Sequence, residues 1–206
     1  MFITFEGVEG SGKSTQIQLV KEFFEERCQE VLLTREPGGS KLGIKLRDLI
    51  LNPYENDKPK DLTELLLYIA DRAHHVETII EPALKDNIVV LSDRYIDSTT
   101  AYQGYARGFD LKQIEYLNSI ATKNLKPDLT IVLDLDPSDG LKRVLERGGK
   151  NSLDRLEQES INFHQKVRNG FLELAKQEPN RIKIYDARKK VEEINREIIN
   201  DILKIL

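Results

Sequence analysis

A glycine-rich loop near the N-terminus has the residue types and spacing of a phosphate site. Residues 7–14 read G-V-E-G-S-G-K-S and fit the pattern G-x-x-x-x-G-K-[ST] completely. Glycines let backbone N–H groups turn inward around phosphate oxygens, and the helix that follows adds its positive N-terminal end. In this pattern Lys13 reaches the β- and γ-phosphates of a nucleotide, and the Ser14 hydroxyl ligates Mg²⁺. The predicted ATP-binding residues here are Gly7, Val8, Glu9, Gly10, Ser11, Gly12, Lys13, Ser14 and Thr15.

The context of this loop decides between a phosphate site and a chance glycine-rich turn. An apolar run at residues 2–5 precedes it, and residues 13–26 carry apolar side chains at helical spacing. Strand, loop and helix in this order favour the phosphate site. The loop alone does not separate kinases from GTPases or motors, but an Asn-Lys-x-Asp guanine-reading motif is missing from the sequence. A nucleotide-dependent switch remains an alternative, which turnover with and without a small acceptor would distinguish.

A second group of candidate residues, Asp93-Arg94-Tyr95, directly follows the apolar run 88–91. It therefore lies at the carboxyl edge of a strand, where α/β proteins bind ligands. Arg94 could hold an acceptor phosphate through two hydrogen bonds. Asp93 could orient the magnesium shell or take the proton of the acceptor. The alternative is a structural ion pair at a strand end.

The elements that must position these groups alternate along the chain. Strands are predicted at residues 2–5, 31–34, 88–91, 129–133 and 182–185, and a long helix at 61–84. Two of these runs, 88–91 and 129–133, are continuously apolar, as in strands buried on both faces of a parallel sheet. The order predicts an α/β fold in which helices cover both sides of a mostly parallel five-stranded sheet.

Composition limits the class of protein. The 206 residues suit one domain, and 31 basic against 35 acidic residues give a net charge of −4, without the basic excess of a nucleic-acid-binding protein. A single cysteine, Cys28, fits a reducing compartment. The sequence shows neither a membrane-spanning run nor a signal peptide, so a cytoplasmic location is expected. The three histidines lack zinc-ligand spacing and are interpreted as structural or surface residues.

Four motifs together resemble the thymidylate kinase family. They are residues 6–13 (E-G-V-E-G-S-G-K), 34–39 (T-R-E-P-G-G), 93–104 (D-R-Y-I-D-S-T-T-A-Y-Q-G) and 154–157 (D-R-L-E). The match is collinear and covers nearly the whole chain. The resemblance implies a P-loop NTPase fold with one domain over residues 1–206, and transfer of phosphate from ATP to dTMP with Mg²⁺. It also implies a homodimer formed through helices.

The resemblance assigns a base-reading role to residues of the long helix. Tyr68 and Arg72 lie four residues apart and share one helix face. By resemblance Tyr68, where relatives carry Phe, stacks on thymine, and Arg72 donates to a base carbonyl. Without the motifs, a core aromatic beside a surface arginine would be the better interpretation. Thr99 and Gln103 resemble the polar groups that meet the base edge.

Further acceptor contacts follow from the same resemblance. Tyr102 would fill the space that a ribose 2′-hydroxyl needs, and Ser98 would serve the same loop. Arg47 resembles a second arginine on the acceptor phosphate, against the alternative of a solvated helix charge. Glu9 would bind the 3′-hydroxyl of the acceptor. Glu36 would bind magnesium-shell water or cap its turn.

A glycine-rich basic segment at residues 147–155 is predicted to be a lid. The phosphate-binding loop has no arginine, so the cation on the transferring phosphoryl group must come from elsewhere. The resemblance is to the subtype with a catalytic arginine in the lid, with Arg147 as first candidate and Arg155 as second, beside Lys150. Arg143, one turn before Arg147, would lie against adenine or donate to phosphate, or be a plain surface residue. A kinase for another monophosphate or for a deoxynucleoside is the nearest alternative.

Overall fold

A computed structural model of the chain describes residues 1–52, 57–148 and 155–206, with only the backbone at 147 and 148. The described residues contain a five-stranded sheet in which every pair of neighbours is parallel, in the order β2-β3-β1-β4-β5. The strands are Phe2–Glu6 (β1), Val31–Arg35 (β2), Val89–Asp93 (β3), Leu129–Asp134 (β4) and Ile182–Asp186 (β5). This arrangement confirms the predicted sheet and its P-loop fold class.

The α-helices of the described residues are Lys13–Glu25 (α1), Lys41–Leu51 (α2), Asp61–His75 (α3), Glu81–Lys85 (α4), Ile96–Thr99 (α5), Leu111–Thr122 (α6), Pro137–Gly148 (α7), Ile161–Gln177 (α8) and Val191–Leu203 (α9). Two π-helical segments, Val76–Ile80 and Thr100–Ala106, interrupt them. None of the helices in these ranges is long and apolar enough to cross a membrane.

Successive side chains of β1 point to opposite faces of the sheet and contribute to a hydrophobic core on each face. Ile3 and Phe5 pack on one face of the sheet with α1 and α9, and Phe2 packs on the opposite face with the segment Val76–Ile80. All five residues of β1 are buried because side chains point to both faces of a covered sheet. The central strand therefore ends at Glu6 in a fixed, water-free position from which the phosphate-binding loop begins.

The predicted helix over residues 61–84 is present but changes its hydrogen-bonding pattern. It consists of α3, the π-helical segment Val76–Ile80 and α4 in succession. Pro82 lies in the first turn of α4 and has no N–H for the bond to the carbonyl four residues earlier. The wider π turn lies immediately before this proline. Upstream of that change α3 is regular, and it presents Tyr68 and Arg72 to the site.

Candidate active site

The phosphate-binding loop, residues 7–14, joins β1 to α1. Gly12 caps the helix at a φ of 96°, which favours glycine, and α1 begins at Lys13. The Lys13 amine donates to the backbone oxygens of Gly7 and Val8, each at 3.1 Å. Burial lowers the pKa of this lysine, and Arg94 adds to the effect, while Glu9 and Asp93 oppose it. The amine thus lies across its own loop and lines a cavity beside it.

The other side of the loop packs against α7 without room for side chains. A Cβ on Gly10, whose φ is 71°, would lie 2.2 Å from the carbonyl oxygen of Gly140. Arg143 of α7 donates to the oxygens of Gly10, at 3.3 Å, and Ala187, at 3.4 Å. Arg143 therefore lies between the loop and the segment after β5 and is not a plain surface residue.

A cavity of about 170 Å³ lies beside this loop at the carboxyl edge of the sheet. It brings together every residue predicted for the acceptor site: Glu9, Glu36, Arg47, Tyr68, Arg72, Arg94, Ser98, Thr99, Tyr102 and Gln103, with Lys13 and Asp93 beside them. The lining also includes Leu51, and Arg35, Pro37, Leu156 and Glu157 of the motifs at 34–39 and 154–157, to which the sequence alone gave no individual role.

Arg94 lies where this pocket meets the phosphate-binding loop. One of its terminal nitrogens donates to Oε1 of Glu9, and the other lies 3.1 Å from Ser98 Oγ and 3.3 Å from the Gly7 oxygen. Its guanidinium carbon is 5.1 Å from the centroid of the Tyr102 ring. Burial alone would raise the pKa of Glu9, but Arg94 and Lys13 lower it to about 2. Glu9 is therefore a carboxylate between two cations.

Glu6, to which the sequence alone gave no role, binds the Ser98 side chain that Arg94 contacts. Its side chain is fully buried and accepts from the Tyr95 N–H at 2.8 Å and from Ser98 Oγ at 2.5 Å. Burial raises the pKa of Glu6 to about 8, and the nearby Asp97 adds to the rise. A glutamate at the end of an otherwise apolar strand is the sequence signal for this group.

Arg72 is a buried arginine with several hydrogen-bond partners, and not a surface arginine. It is 1% exposed, and its Nε donates to Oε2 of Glu36 at 2.8 Å. One terminal nitrogen donates to Thr99 Oγ1 and Asn118 Oδ1, each at 2.8 Å, and the other to the Tyr95 oxygen at 2.9 Å. These bonds use four of the five N–H donors of a guanidinium. Among the described residues, the fifth N–H has no hydrogen-bond acceptor.

The loop that carries Glu36 is held by α3. His75 Nδ1 lies 2.9 Å from Glu36 Oε1, and its Nε2 lies 2.6 Å from Thr34 Oγ1. Both carboxylate oxygens of Asp71 accept from the Gly38 N–H at 3.3 Å. Burial raises the pKa of Asp71 to about 6, and Glu36 adds to the rise. His75 is structural, as predicted, and Glu36 binds side chains of α3 instead of capping its turn.

The remaining residues that were predicted to contact the acceptor take defined positions. Tyr68 is half-buried in the pocket wall, and the Gln103 amide nitrogen donates to Glu64 Oε1 at 3.1 Å. Tyr102 is buried, and within the described ranges its hydroxyl finds no hydrogen-bond partner. Arg47 donates to the Pro37 oxygen at 3.0 Å, so it lies against the pocket loop and is not simply a solvated helix charge.

The predicted lid falls mostly outside the described residues. Lys150 and the side chain of Arg147 lie outside the described residues. Arg155 is described, and its guanidinium contacts Glu64 Oε2 and donates through Nε to the Ile50 oxygen at 2.9 Å. Arg155 is thus bound at the C-terminal end of α2 and the first turn of α3.

Ser14 and Asp93 line a common groove beside the loop. Asp93 Oδ1 is buried, and nothing in the described ranges donates a hydrogen bond to it. A carboxylate oxygen and a hydroxyl suit Mg²⁺, which usually takes one or two protein ligands and completes its shell with phosphates and water. Within those ranges, no three His, Cys, Asp or Glu residues cluster as a metal site of their own. The groove therefore fits a cation that arrives with a nucleotide.

Comparison with known proteins agrees with this geometry. Residues 5–198 match the family model described as thymidylate kinase. The thymidylate kinase of Carboxydothermus hydrogenoformans is 53% identical over 197 residues, covering 96% of this chain and 94% of that protein. That of Gloeobacter violaceus is 52% identical, covering 93% and 89%. The crystal structure of thymidylate kinase from Ehrlichia chaffeensis has a TM-score of 0.79 at 35% identity and covers 98% of both chains.

Proposed function

The chain belongs to the thymidylate kinase family, and we propose that the pocket beside the phosphate-binding loop holds the dTMP that it phosphorylates to dTDP with ATP. The observation that carries this proposal is that one cavity is lined by two cations that contact the phosphate-binding loop and by polar side chains held away from it. Lys13 and Arg94 are the cations, and Arg72 and Gln103, bound to Glu36 and Glu64, are the polar side chains. A monophosphate bound there would have its phosphate beside the loop that holds ATP.

Recognition of the base rests on the donor that Arg72 retains. Thymine presents a carbonyl oxygen at position 4, and cytosine presents an amino group there. An arginine can only donate, so it pairs with the oxygen and opposes the amine. The bonds to Glu36 and Thr99 fix the direction of that donor. Tyr68 supplies a ring for stacking, and the buried Tyr102 closes the space beside the sugar.

Transfer of the phosphoryl group relies on position and charge. Arg94 and Arg47 hold the acceptor phosphate, and Lys13 contacts the β- and γ-phosphates of ATP. Glu9, a carboxylate next to Arg94, accepts from the 3′-hydroxyl of dTMP and sets the angle of that arginine. Ser14 and Asp93 would hold Mg²⁺ directly or through water, and the cation would neutralise charge between the phosphates. Arg143 contacts the donor nucleotide at the far side of the loop.

We propose that the arginine that contacts the transferring phosphoryl group comes from the lid. The phosphate-binding loop has Val8, Glu9 and Ser11 where an arginine could stand. Arg155 is held by Glu64 and Ile50, so we assign it to anchoring the C-terminal end of the lid. Arg147 is then the first candidate for the catalytic cation, consistent with the lid-arginine subtype.

A homodimer through the helices has support from exposed apolar side chains. The helix α3 packs between α2 and α6. The outer faces of these helices expose Leu42, Ile44, Leu49, Leu62, Leu66, Tyr116 and Ile120. We propose that this surface contacts a second copy of the chain. We also propose that the enzyme has one domain and is cytoplasmic. Sedimentation analysis of wild type and Leu66→Glu should show a dimer and a monomer, respectively; a wild-type monomer at micromolar concentration would refute the assignment.

The pocket assignment is tested by ADP release from ATP across dTMP, dUMP, dCMP, AMP and GMP. Release should be fast with dTMP and dUMP and near background with the other three. Arg94→Ala should raise the KM for dTMP strongly, because it removes the cation between Glu9 and the acceptor phosphate. An Arg94→Ala enzyme with wild-type kcat/KM would place the acceptor elsewhere.

A further inference from the structure

Glu64 is a buried carboxylate without a part in the transfer described above. It lies in the first turn of α3 and is 0% exposed. Its Oε1 accepts from Arg107 Nε at 2.8 Å and from the Gln103 amide nitrogen at 3.1 Å. Its Oε2 accepts from Arg107 at 3.3 Å and contacts a terminal nitrogen of Arg155.

These contacts determine the charge of Glu64 and the orientation of Gln103. All three partners are donors, so a proton on Glu64 would face no acceptor among them, and two guanidinium groups balance its negative charge. A carboxylate accepts and cannot donate. The Gln103 amide must therefore turn its NH₂ group toward Glu64. Its carbonyl oxygen is then the end of the amide that can face a ligand in the pocket.

We propose that Glu64 is a specificity-determining positioning residue, which makes Gln103 present an acceptor to the base. This inference rests on the proposed dTMP pocket. Thymine carries a hydrogen on N3 and can donate to that oxygen, whereas cytosine has a lone pair on N3 and is repelled by it. Arg72 discriminates thymine from cytosine at position 4 of the base. By orienting Gln103, Glu64 adds a second discrimination at N3. A freely rotating glutamine would accept either pyrimidine at N3, since it can present oxygen or nitrogen.

The test is a double-mutant cycle on the ratio of kcat/KM for dTMP to kcat/KM for dCMP. Glu64→Gln should lower this ratio roughly tenfold, the value of about one hydrogen bond, because the new amide can let Gln103 reverse. Gln103→Met should lower it by a similar factor, and the double variant should be no worse than Gln103→Met alone. Asp61→Asn is the matched control, since Asp61 contacts Arg107 from the exposed side. Its ratio should equal that of wild type.

Three results would overturn the proposal: a wild-type ratio in Glu64→Gln, a wild-type ratio in Gln103→Met, or additive losses in the double variant.

If Glu64→Gln does not fold, a hydrogen-exchange measurement on the wild-type protein tests the proposal instead. The side-chain amide protons of Gln103, assigned by their loss in Gln103→Met, should stay protected from solvent exchange when dTMP is bound. Exchange as fast as that of the exposed Gln113 refutes the role. A wild-type enzyme that does not prefer dTMP would instead refute the proposed pocket.

Discussion

Arg72 and Glu36 form a buried ion pair, with Nε and Oε2 2.8 Å apart and both side chains at most 2% exposed. The pair joins the last turn of α3 to the loop after β2. Because Glu36 also contacts His75 and Arg72 also donates to Thr99, the arginine that we propose contacts the base is also part of the packed structure around the pocket. Its substitution must therefore affect folding as well as catalysis.

Arg72→Ala should lower the free energy of unfolding by about 3 kcal/mol, since it leaves Glu36 buried with only His75 as a partner. Urea unfolding of wild type and variant measures this loss. Arg35→Ala, which removes an exposed arginine at the neighbouring position, is the control and should stay within about 0.5 kcal/mol of wild type. A loss below 1 kcal/mol in Arg72→Ala would show that the pair is not structural.

Lys13→Ala should reduce kcat roughly 10²–10³-fold without loss of the fold, because one preorganised charge contact to the phosphates disappears. Steady-state ADP release and circular dichroism measure the two quantities. Lys21→Ala removes a lysine of the same helix that pairs with Glu25 on the surface, and it should behave as wild type. Near-normal turnover in folded Lys13→Ala would contradict the role of the loop.

Arg147→Ala should lower kcat far more than it raises the KM for dTMP, since a lid cation acts mainly in the transition state. Arg155→Ala should act differently: it frees Glu64 from one guanidinium and loosens the lid at its anchored end. We expect a larger change in KM there. Wild-type kcat in both variants would mean that the lid carries no catalytic charge.

Glu6 predicts a dependence of stability on pH. Its pKa rises from 4.5 in the unfolded reference to about 8 in the folded chain. Between these values the unfolded chain has lost the proton and the folded chain keeps it, so stability from this group is complete below pH 4.5 and is lost as the pH rises through 8. The free energy of unfolding should fall by up to about 1 kcal/mol per pH unit over this window.

Glu6→Gln provides the comparison, because glutamine resembles the protonated acid and does not titrate. Its free energy of unfolding should fall less steeply than that of wild type between pH 5 and 8, as measured by urea titration at each pH. The raised pKa of Asp71 contributes to both proteins and cancels in the difference. Parallel curves would show that Glu6 is already ionised when folded.

The sequence predicted those parts of the site that are local. Arg94 directly follows an apolar strand, and Lys13 follows one after the glycine loop of residues 7–12, so strand patterning and the loop motif place both at one edge of the sheet. The partners of Arg72 come from the loop after β2, from α5 and from α6, and no pattern within one segment brings them together. Glu64 and its arginines are likewise joined only by the tertiary fold. The segment Thr100–Ala106 has a π-helical form that its composition does not reveal, although the motif within it marked Tyr102 and Gln103.

In the proposed function, this pocket selects thymine by its hydrogen-bonding edge. The most direct measurement is kcat/KM for dTMP and dCMP with saturating ATP, in wild type and in folded Arg72→Ala. We predict a wild-type preference for dTMP of roughly 10⁴-fold, because cytosine would leave buried donors unpaired. Arg72→Ala should lose activity on dTMP and most of that preference. A wild-type enzyme that turns over dCMP or a purine monophosphate as well as dTMP would contradict the account.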